Sequence, residues 1–249
     1  MTDFPVEHLS ASSITTFLRC PRQWQDKYIR GNRGPSNSAL MLGSAVHLGL
    51  SRALKGEDPG SFWLETLKEN PEVDWSKMAP DKCAEWAVKL LYLYYETIGK
   101  HLNVTDTEVE VLIEIPGMDI PVIGFIDILT DDRVVDVKTT GYFSAKQVRL
   151  NPEWKFQMNV YQIFENLPGE FHVLTRAKTD PIRVPTSIND PVYVYPPDPL
   201  ETARFIRQTY QQIKYAWETW GDEEEWPGGV THEWAGRYCE LRGNGCCQD

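Results

Sequence analysis

Gly124-Phe125-Ile126-Asp127-Ile128-Leu129-Thr130-Asp131-Asp132-Arg133-Val134-Val135-Asp136-Val137-Lys138-Thr139-Thr140 is the stretch from which the fold is read. Apolar residues run into and out of Asp131-Asp132, the pattern of a β-hairpin with a two-residue loop. In such a hairpin facing residues add to 263, so Asp127 stands opposite Asp136, and Lys138 follows on the same side of its strand. Two carboxylates so opposed, with Cβ atoms about 5 Å apart, destabilise the pair unless positive charge lies between them. A lone Asp-x-Lys needs no more than a solvated hairpin face, but such a face pairs Asp with Lys across strands more cheaply than Asp with Asp. The pattern therefore points to a hard divalent cation such as Mg²⁺ or Mn²⁺ held by Asp127 and Asp136, with the Lys138 charge beside it for a phosphate oxygen or a water. Relief of repulsion predicts that Asp127→Asn melts higher than the parent when metal is absent.

Outward from the hairpin, Val109, Val111, Ile113 and Ile115 alternate with Glu108, Glu110 and Glu114, the mark of a strand buried on one side. On this reading the glutamates are a solvated face, and Glu110 and Glu114 stay outside the site. Pro121 opens the segment that leads into the hairpin. Asn151 caps a helix with Pro152 at its first position, ending near Pro168-Gly169 and placing Gln157 and Tyr161 on one face. Segments 171–178 and 191–195 read as strands and 199–220 as a long amphipathic helix. Upstream, Ser13 caps a short helix that Pro21 divides, and residues 39–54, 61–69 and 81–99 are helical, with Cys83 in the core. Helices, then strands, helix, strand and helix predict an α/β sandwich whose mixed sheet carries the site.

The order of these motifs resembles the PD-(D/E)XK nuclease superfamily, and specifically its RecB-like branch, which includes CRISPR-associated RecB-type and phage exonucleases. Asp127 and Asp136-Val137-Lys138 resemble its acid...acid-x-Lys core. Gly43-Ser44-Ala45-Val46-His47 resembles its Gly-x-x-x-His motif, Gln157 through Tyr161 its Gln-x-x-x-Tyr motif, and Ser10 through Trp24, with Phe17 and Cys20-Pro21, its opening signature. The resemblance is specific over residues 10–161 and looser beyond about 170. It implies a restriction-endonuclease-like core with a mixed central sheet flanked by helices and an N-terminal helical elaboration. It implies His47, Asp127, Asp136 and the Val137 carbonyl as metal ligands, Lys138 as the catalytic lysine, and Gln157 and Tyr161 as substrate-positioning residues. The implied activity is metal-dependent DNA hydrolysis at ends or in single strands, in phage or bacterial repair, recombination or processing. A CRISPR-adaptation accessory nuclease and a non-cutting DNA-binding subunit of the same fold are the alternatives.

Cys20 near the start and Cys239, Cys246 and Cys247 near the end resemble the iron-sulfur arrangement of some RecB-like nucleases. Relatives space the terminal three as Cys-x-x-Cys with another further on, whereas here Cys246 and Cys247 are adjacent. Zinc, or free thiols in a reducing compartment, are alternatives.

With 249 residues, 41% of them apolar, the chain can bury one large core, read as a single domain over 1–249: a helical region at about 10–105, the catalytic sheet and helices at about 106–220, and a Cys-containing tail from 221. No run of 18 apolar residues and no basic-then-apolar leader occurs, which predicts a cytoplasmic protein with no membrane partner. The formal charge of −11 counts against nucleic-acid binding in bulk. Its distribution counts the other way: Arg19, Arg22, Lys27, Arg30 and Arg33 face one acid, Asp26, and Lys146, Arg149 and Lys155 follow the hairpin, as candidate phosphate contacts. No Gly-x-x-x-x-Gly-Lys-Ser/Thr is present, so unwinding falls to a partner such as a helicase, recombinase or integrase.

Overall fold

The hairpin forms in the predicted register. Thr130 N–H donates to Arg133 O across the Asp131-Asp132 turn, and Ile128 faces Val135 and Leu129 faces Val134 in an antiparallel ladder. The structure, a computed structural model, describes residues 4–140, 151–176 and 199–229, and the backbone of 182–184. Two units divide the chain: Met1–Gly34, Val111–Gly124 and Asp198–Asp249 form the first, and Pro35–Glu110 and Phe125–Pro197 the second.

Strands β3 (Val104–Ile113), β4 (Val122–Thr130), β5 (Val134–Thr140), β6 (Gly169–Thr175) and β7 (Ile182–Val184) follow one another in a five-stranded sheet. It is mixed: β4 and β5 pair antiparallel, β5 and β6 parallel, β6 and β7 antiparallel. Val134 to Val137 are all buried, as expected of a strand covered on both faces. In the second unit, Val135, Val137 and Leu174 pack with α3 (Ser38–Leu54) and α5 (Pro80–Thr97) through Leu42, Val46, Leu90 and Tyr94. Gly49 lets these helices close up, since a Cβ there would meet Leu91 Cδ2 at 2.9 Å. Alternation turns Asp136, Lys138 and Phe171 to the opposite face, where α6 (Pro152–Glu165) meets them: Trp154 lies 6.2 Å from Phe171, ring to ring. Asn151 caps α6 through the N–H groups of Glu153 and Trp154, with Pro152 at its first position and Asn166 in the left-handed conformation at its end. The short strands β1 (Ser36–Asn37) and β2 (Val73–Asp74) pair in parallel, and α4 (Phe62–Glu69) packs on α3. This is the expected α/β architecture, a mixed central sheet flanked by helices with a helical N-terminal region, the restriction-endonuclease-like arrangement.

In the first unit α1 (Ala11–Arg19) starts one turn earlier than the sequence reading placed it. Ser10 is the cap, and Ser13 supplies the returning hydrogen bond of a capping box. Cys20 ends α1 and caps α2 (Pro21–Trp24), so Pro21 does divide the segment. Helix α7 (Pro199–Trp220) buries Ile206, Tyr210 and Ile213 at helical spacing. Of the remaining expectations, the strand predicted at 171–178 runs from Gly169 to Thr175, Ile182–Val184 is an additional strand, and 191–195 lies outside the described residues. No described helix is long and apolar enough to cross a membrane.

Candidate metal and catalytic site

Beyond the Ile128–Val135 pair, Asp127 Oδ2 accepts the Val137 N–H at 2.6 Å. Because a strand residue sends its N–H and C=O to the same side, the Val137 carbonyl leaves β5 on the side of β4. The other Asp127 oxygen lies 3.1 Å from His47 Nδ1. Gly43 explains the spacing of Gly-x-x-x-His: a Cβ there would meet Thr139 Oγ1 at 3.2 Å, so a glycine lets α3 lie close against β5 one turn before His47.

Asp136, 1% exposed, is ion-paired with Lys138, whose Nζ lies 2.9 Å from Oδ1 and 2.8 Å from Oδ2. Only Oδ1 accepts in hydrogen-bonding geometry, leaving Oδ2 buried without a hydrogen-bond partner among the described residues. Lys138 also donates to Gln157 Oε1 at 2.9 Å, Gln157 Nε2 donates to Tyr161 Oη at 2.6 Å, and the Trp154 ring centroid lies 5.7 Å from the ammonium. Five sequence-predicted residues, Asp127, Asp136, Lys138, Gln157 and Tyr161, are thus brought together on β4, β5 and α6, with His47 adjoining from α3.

Glu108 joins them, and sequence reasoning left it out. Among the described residues, the side chains offering ligand atoms within 4.8 Å of one another are His47, Glu108 and Asp127. Glu108 has φ 53°, outside the strand region and costly for a residue with a Cβ. The neighbouring Thr107 is anchored to α3: its hydroxyl lies 2.7 Å from Ser51 Oγ and its carbonyl accepts from Lys55 Nζ at 3.3 Å. That anchoring holds the kink, which takes Glu108 out of the simple alternation. No periodicity in the sequence marks it. Glu110 stays exposed on the strand, as expected.

The charges account for the protonation states. Burial alone would lower the His47 imidazole, but the Asp127 charge and hydrogen bond overcome it and raise it to about 9. Asp127 is lowered despite burial, by His47, Lys138 and the Val137 N–H. Asp136 is pushed up to about 6 by burial, with Asp127 adding to the effect and Lys138 opposing it. Burial lifts the Tyr161 phenol far above its ordinary range. Partial desolvation and then Asp127 raise Glu108. The facing carboxylates are therefore each neutralised by a cation, which reverses the expected effect of Asp127→Asn. The substitution removes the counter-charge of His47, so the metal-free variant melts lower.

An imidazole nitrogen, carboxylate oxygens and an orphaned buried Asp136 oxygen fit a hard divalent cation. Such a cation needs His47 neutral, so it competes with a proton. Apparent Mn²⁺ affinity is expected to rise by up to about ten-fold per pH unit through the neutral range and level off above the His47 value of about 9. Calorimetry in buffers of differing ionisation enthalpy reads the released proton; a pH-independent affinity would exclude His47 as a ligand. Glu108→Gln should weaken binding on the order of ten-fold without changing that slope. The His47–Asp127 pair also stabilises the metal-free fold. Its contribution is full below the ordinary histidine value of 6.5 and is lost as pH rises through about 9.

Basic residues predicted to meet phosphate are partly committed elsewhere. Arg22 donates to Trp226 O at 2.9 Å and pairs with Glu225 at 3.3 Å, and Arg30 donates to Asp222 O at 3.0 Å, all within the first unit. Lys146 and Arg149 lie outside the described residues, as do Cys239, Cys246 and Cys247. Cys20 is buried, its Sγ accepting the Gln23 N–H at 3.5 Å. Cys83 is core, as predicted.

No curated protein matches the chain. A provisionally named exonuclease from Eubacterium rectale shares the fold at 16% identity, with TM-score 0.63 over 98% of this chain and 90% of that one. SSO0001 is also 16% identical, with TM-score 0.43 over 83% of this chain and 76% of that one. The PD-(D/E)XK nuclease superfamily model matches residues 8–244. Matched over nearly its whole length, and carrying Asp127, Asp136 and Lys138 on the paired strands of its mixed sheet, the chain belongs to the PD-(D/E)XK nuclease superfamily.

Proposed function

We propose that this chain is a RecB-like, metal-dependent DNA nuclease that hydrolyses phosphodiester bonds at DNA ends or in single strands. The observation that carries the reading is the convergence of His47 from α3, Glu108 from β3 and Asp127 from β4 within 4.8 Å, beside β5, which holds Asp136 and Lys138. His47, Glu108, Asp127, Asp136 and the Val137 carbonyl would hold Mg²⁺ or Mn²⁺. When bound, such an ion supplies positive charge to the phosphoryl oxygens and lowers the pKa of water. Lys138, held by Asp136 and Gln157, places a fixed cation where negative charge grows on the phosphoryl oxygens as water adds to phosphorus. Gln157 and Tyr161 fix the rotamer of Lys138, and Trp154 covers its ammonium; they position, and take no proton. Water adds to phosphorus, a P–O bond breaks, and the products are a phosphomonoester and a hydroxyl.

The exonuclease name of the Eubacterium rectale protein and the RecB-like motif order support end-directed action, in one nuclease domain that relies on a partner for unwinding. An iron-sulfur cluster on Cys20 and the three terminal cysteines belongs to the same proposal. Within the first unit, Gly229 already runs against the backbone of Arg19 and Cys20. Iron and zinc analysis of anaerobically purified protein decides it.

The test is incubation with end-labelled single- and double-stranded DNA in Mg²⁺, Mn²⁺ or chelator. Mononucleotides or short products released only with metal are expected. DNA binding without cleavage under every metal condition would overturn the enzyme reading in favour of a non-cutting subunit.

A further inference from the structure

One residue past Lys138, strand β5 ends in Thr139 and Thr140, and Arg176 follows β6 with its N–H on Thr140 O at 3.3 Å. These residues, with Ser38 from the start of α3 and Lys77 before α5, line a cavity of about 100 Å³ at the carboxyl ends of the two parallel strands. That is the volume of roughly three waters, too small for a nucleobase.

Its chemistry is one-sided. Lys77 and Arg176 have no carboxylate partner among the described residues. The guanidinium contact of Arg176 is Met78 Sδ at 3.4 Å, a weak acceptor. Asp74, the acid whose charge Lys77 influences, is committed to the Ser76 N–H and hydroxyl at 2.9 and 3.0 Å. Ser38, 2% exposed, lines the cavity together with Thr139 and Thr140. The first free amides of α3, those of Ala39 and Leu40, are already taken by Asn37 Oδ1 at 3.0 and 3.1 Å, so the helix end is not what makes the site. Among the described residues, two cations and three hydroxyl residues line the space and no acid does.

We propose that this cavity binds a phosphate group of the nucleic-acid strand, next to the phosphate being cleaved. The proposal rests on the nuclease reading above for its source of phosphate, and on the cavity alone for its chemistry. Arg176 and Lys77 meet the charge, and the hydroxyls of Ser38 and of Thr139, which lies against α3 at Gly43, donate to the oxygens, as phosphate contacts that set register without reading bases. The cavity begins at Thr139 and Thr140, one and two residues beyond Lys138, so a phosphate held there lies within about 7 Å of Lys138 along β5.

The experiment has two arms, both with the full chain. In chelator, inorganic phosphate is titrated into the parent, Lys77→Met and Arg176→Met by ³¹P NMR; Lys77 is exposed, so its variant tests the site without disturbing packing. Binding by the parent that weakens on the order of ten-fold in each variant is expected. With Mn²⁺, KM is measured on oligonucleotides carrying a 5′-phosphate, a 3′-phosphate or neither, and is expected to rise by about ten-fold in the variants. A preference for one phosphorylated end that the variants lose assigns a terminal phosphate; equal rises on all three substrates assign an internal one. Phosphate binding and KM both unmoved in both variants would overturn the subsite while leaving any observed cleavage, and hence the nuclease reading, intact. Phosphate bound through Lys77 and Arg176 by a chain that cuts no DNA would sustain the subsite and remove the nuclease.

Discussion

Asp136→Asn and Lys138→Ala are each expected to lower kcat/KM for DNA by at least about 10³-fold while leaving the protein folded. The size follows from what is lost: charge stabilisation at a reacting phosphoryl group is worth several kcal/mol, and each 1.4 kcal/mol is about ten-fold in rate. The fold survives because ionised Asp136, 1% exposed and pushed up to about 6 by burial, is a cost to the metal-free protein. Asp136→Asn keeps its shape and sheds that cost, so metal-free Asp136→Asn should be no less stable than the parent in urea at neutral pH. Gln157→Ala and Tyr161→Phe should lose less, about 10- to 100-fold, since they only hold Lys138 in place. The contrast between the two pairs is the measurement. An Asp136→Asn protein retaining a tenth or more of the parent rate across a Mn²⁺ titration would remove Asp136 from the chemistry, and a Tyr161→Phe as inactive as Lys138→Ala would give the phenol a chemical role.

The second large effect is on stability, in the first unit. Trp226 is fully buried and stacks on Trp24 with centroids 5.4 Å apart at 15°, while Phe17 meets it edge-on at 6.4 Å. Its polar groups are all used: the indole N–H donates to Gly221 O at 2.8 Å, its backbone N–H to Gln25 Oε1 at 3.0 Å, and its carbonyl accepts from Arg22. Gln25, itself buried, holds the same segment through Glu224 O at 2.7 Å. Trp226→Ala should therefore cost about 3–5 kcal/mol, a large share of the roughly 5–15 kcal/mol that a domain has. Gln25→Ala should cost less, about 1–3 kcal/mol, because it leaves buried backbone groups unpaired without opening a comparable cavity. Urea denaturation followed by circular dichroism measures both; a shift under about 1 kcal/mol for Trp226→Ala would mean that the ring cluster closes without it.

What the sequence alone determined is local. The Asp131-Asp132 turn and period-two alternation placed Asp127 opposite Asp136 with Lys138 beyond, because side-chain facing in a hairpin follows from its turn. Asn151-Pro152 set the start of α6 and so the shared face of Gln157 and Tyr161, since caps and helical spacing act within a few residues. The tertiary structure decided what joins distant segments. Glu108 meets His47 and Asp127 through a left-handed kink held by Ser51 of α3 and by Lys55 at its end, a conformation that alternation cannot signal. His47 is a counter-charge for Asp127, so removing the Asp127 charge breaks an ion pair, which inverts the sign of a stability effect read from the hairpin. Arg22 and Arg30, basic in a basic stretch, turn to the backbone and side chains of 222–226, because an arginine pairs with whatever acceptor packing brings near. Lys77 and Arg176, 99 residues apart, share a cavity only because β5 and β6 are neighbours in the sheet and the chain before α5 ends beside them: strand order is a property of the packed chain, and no local pattern encodes it.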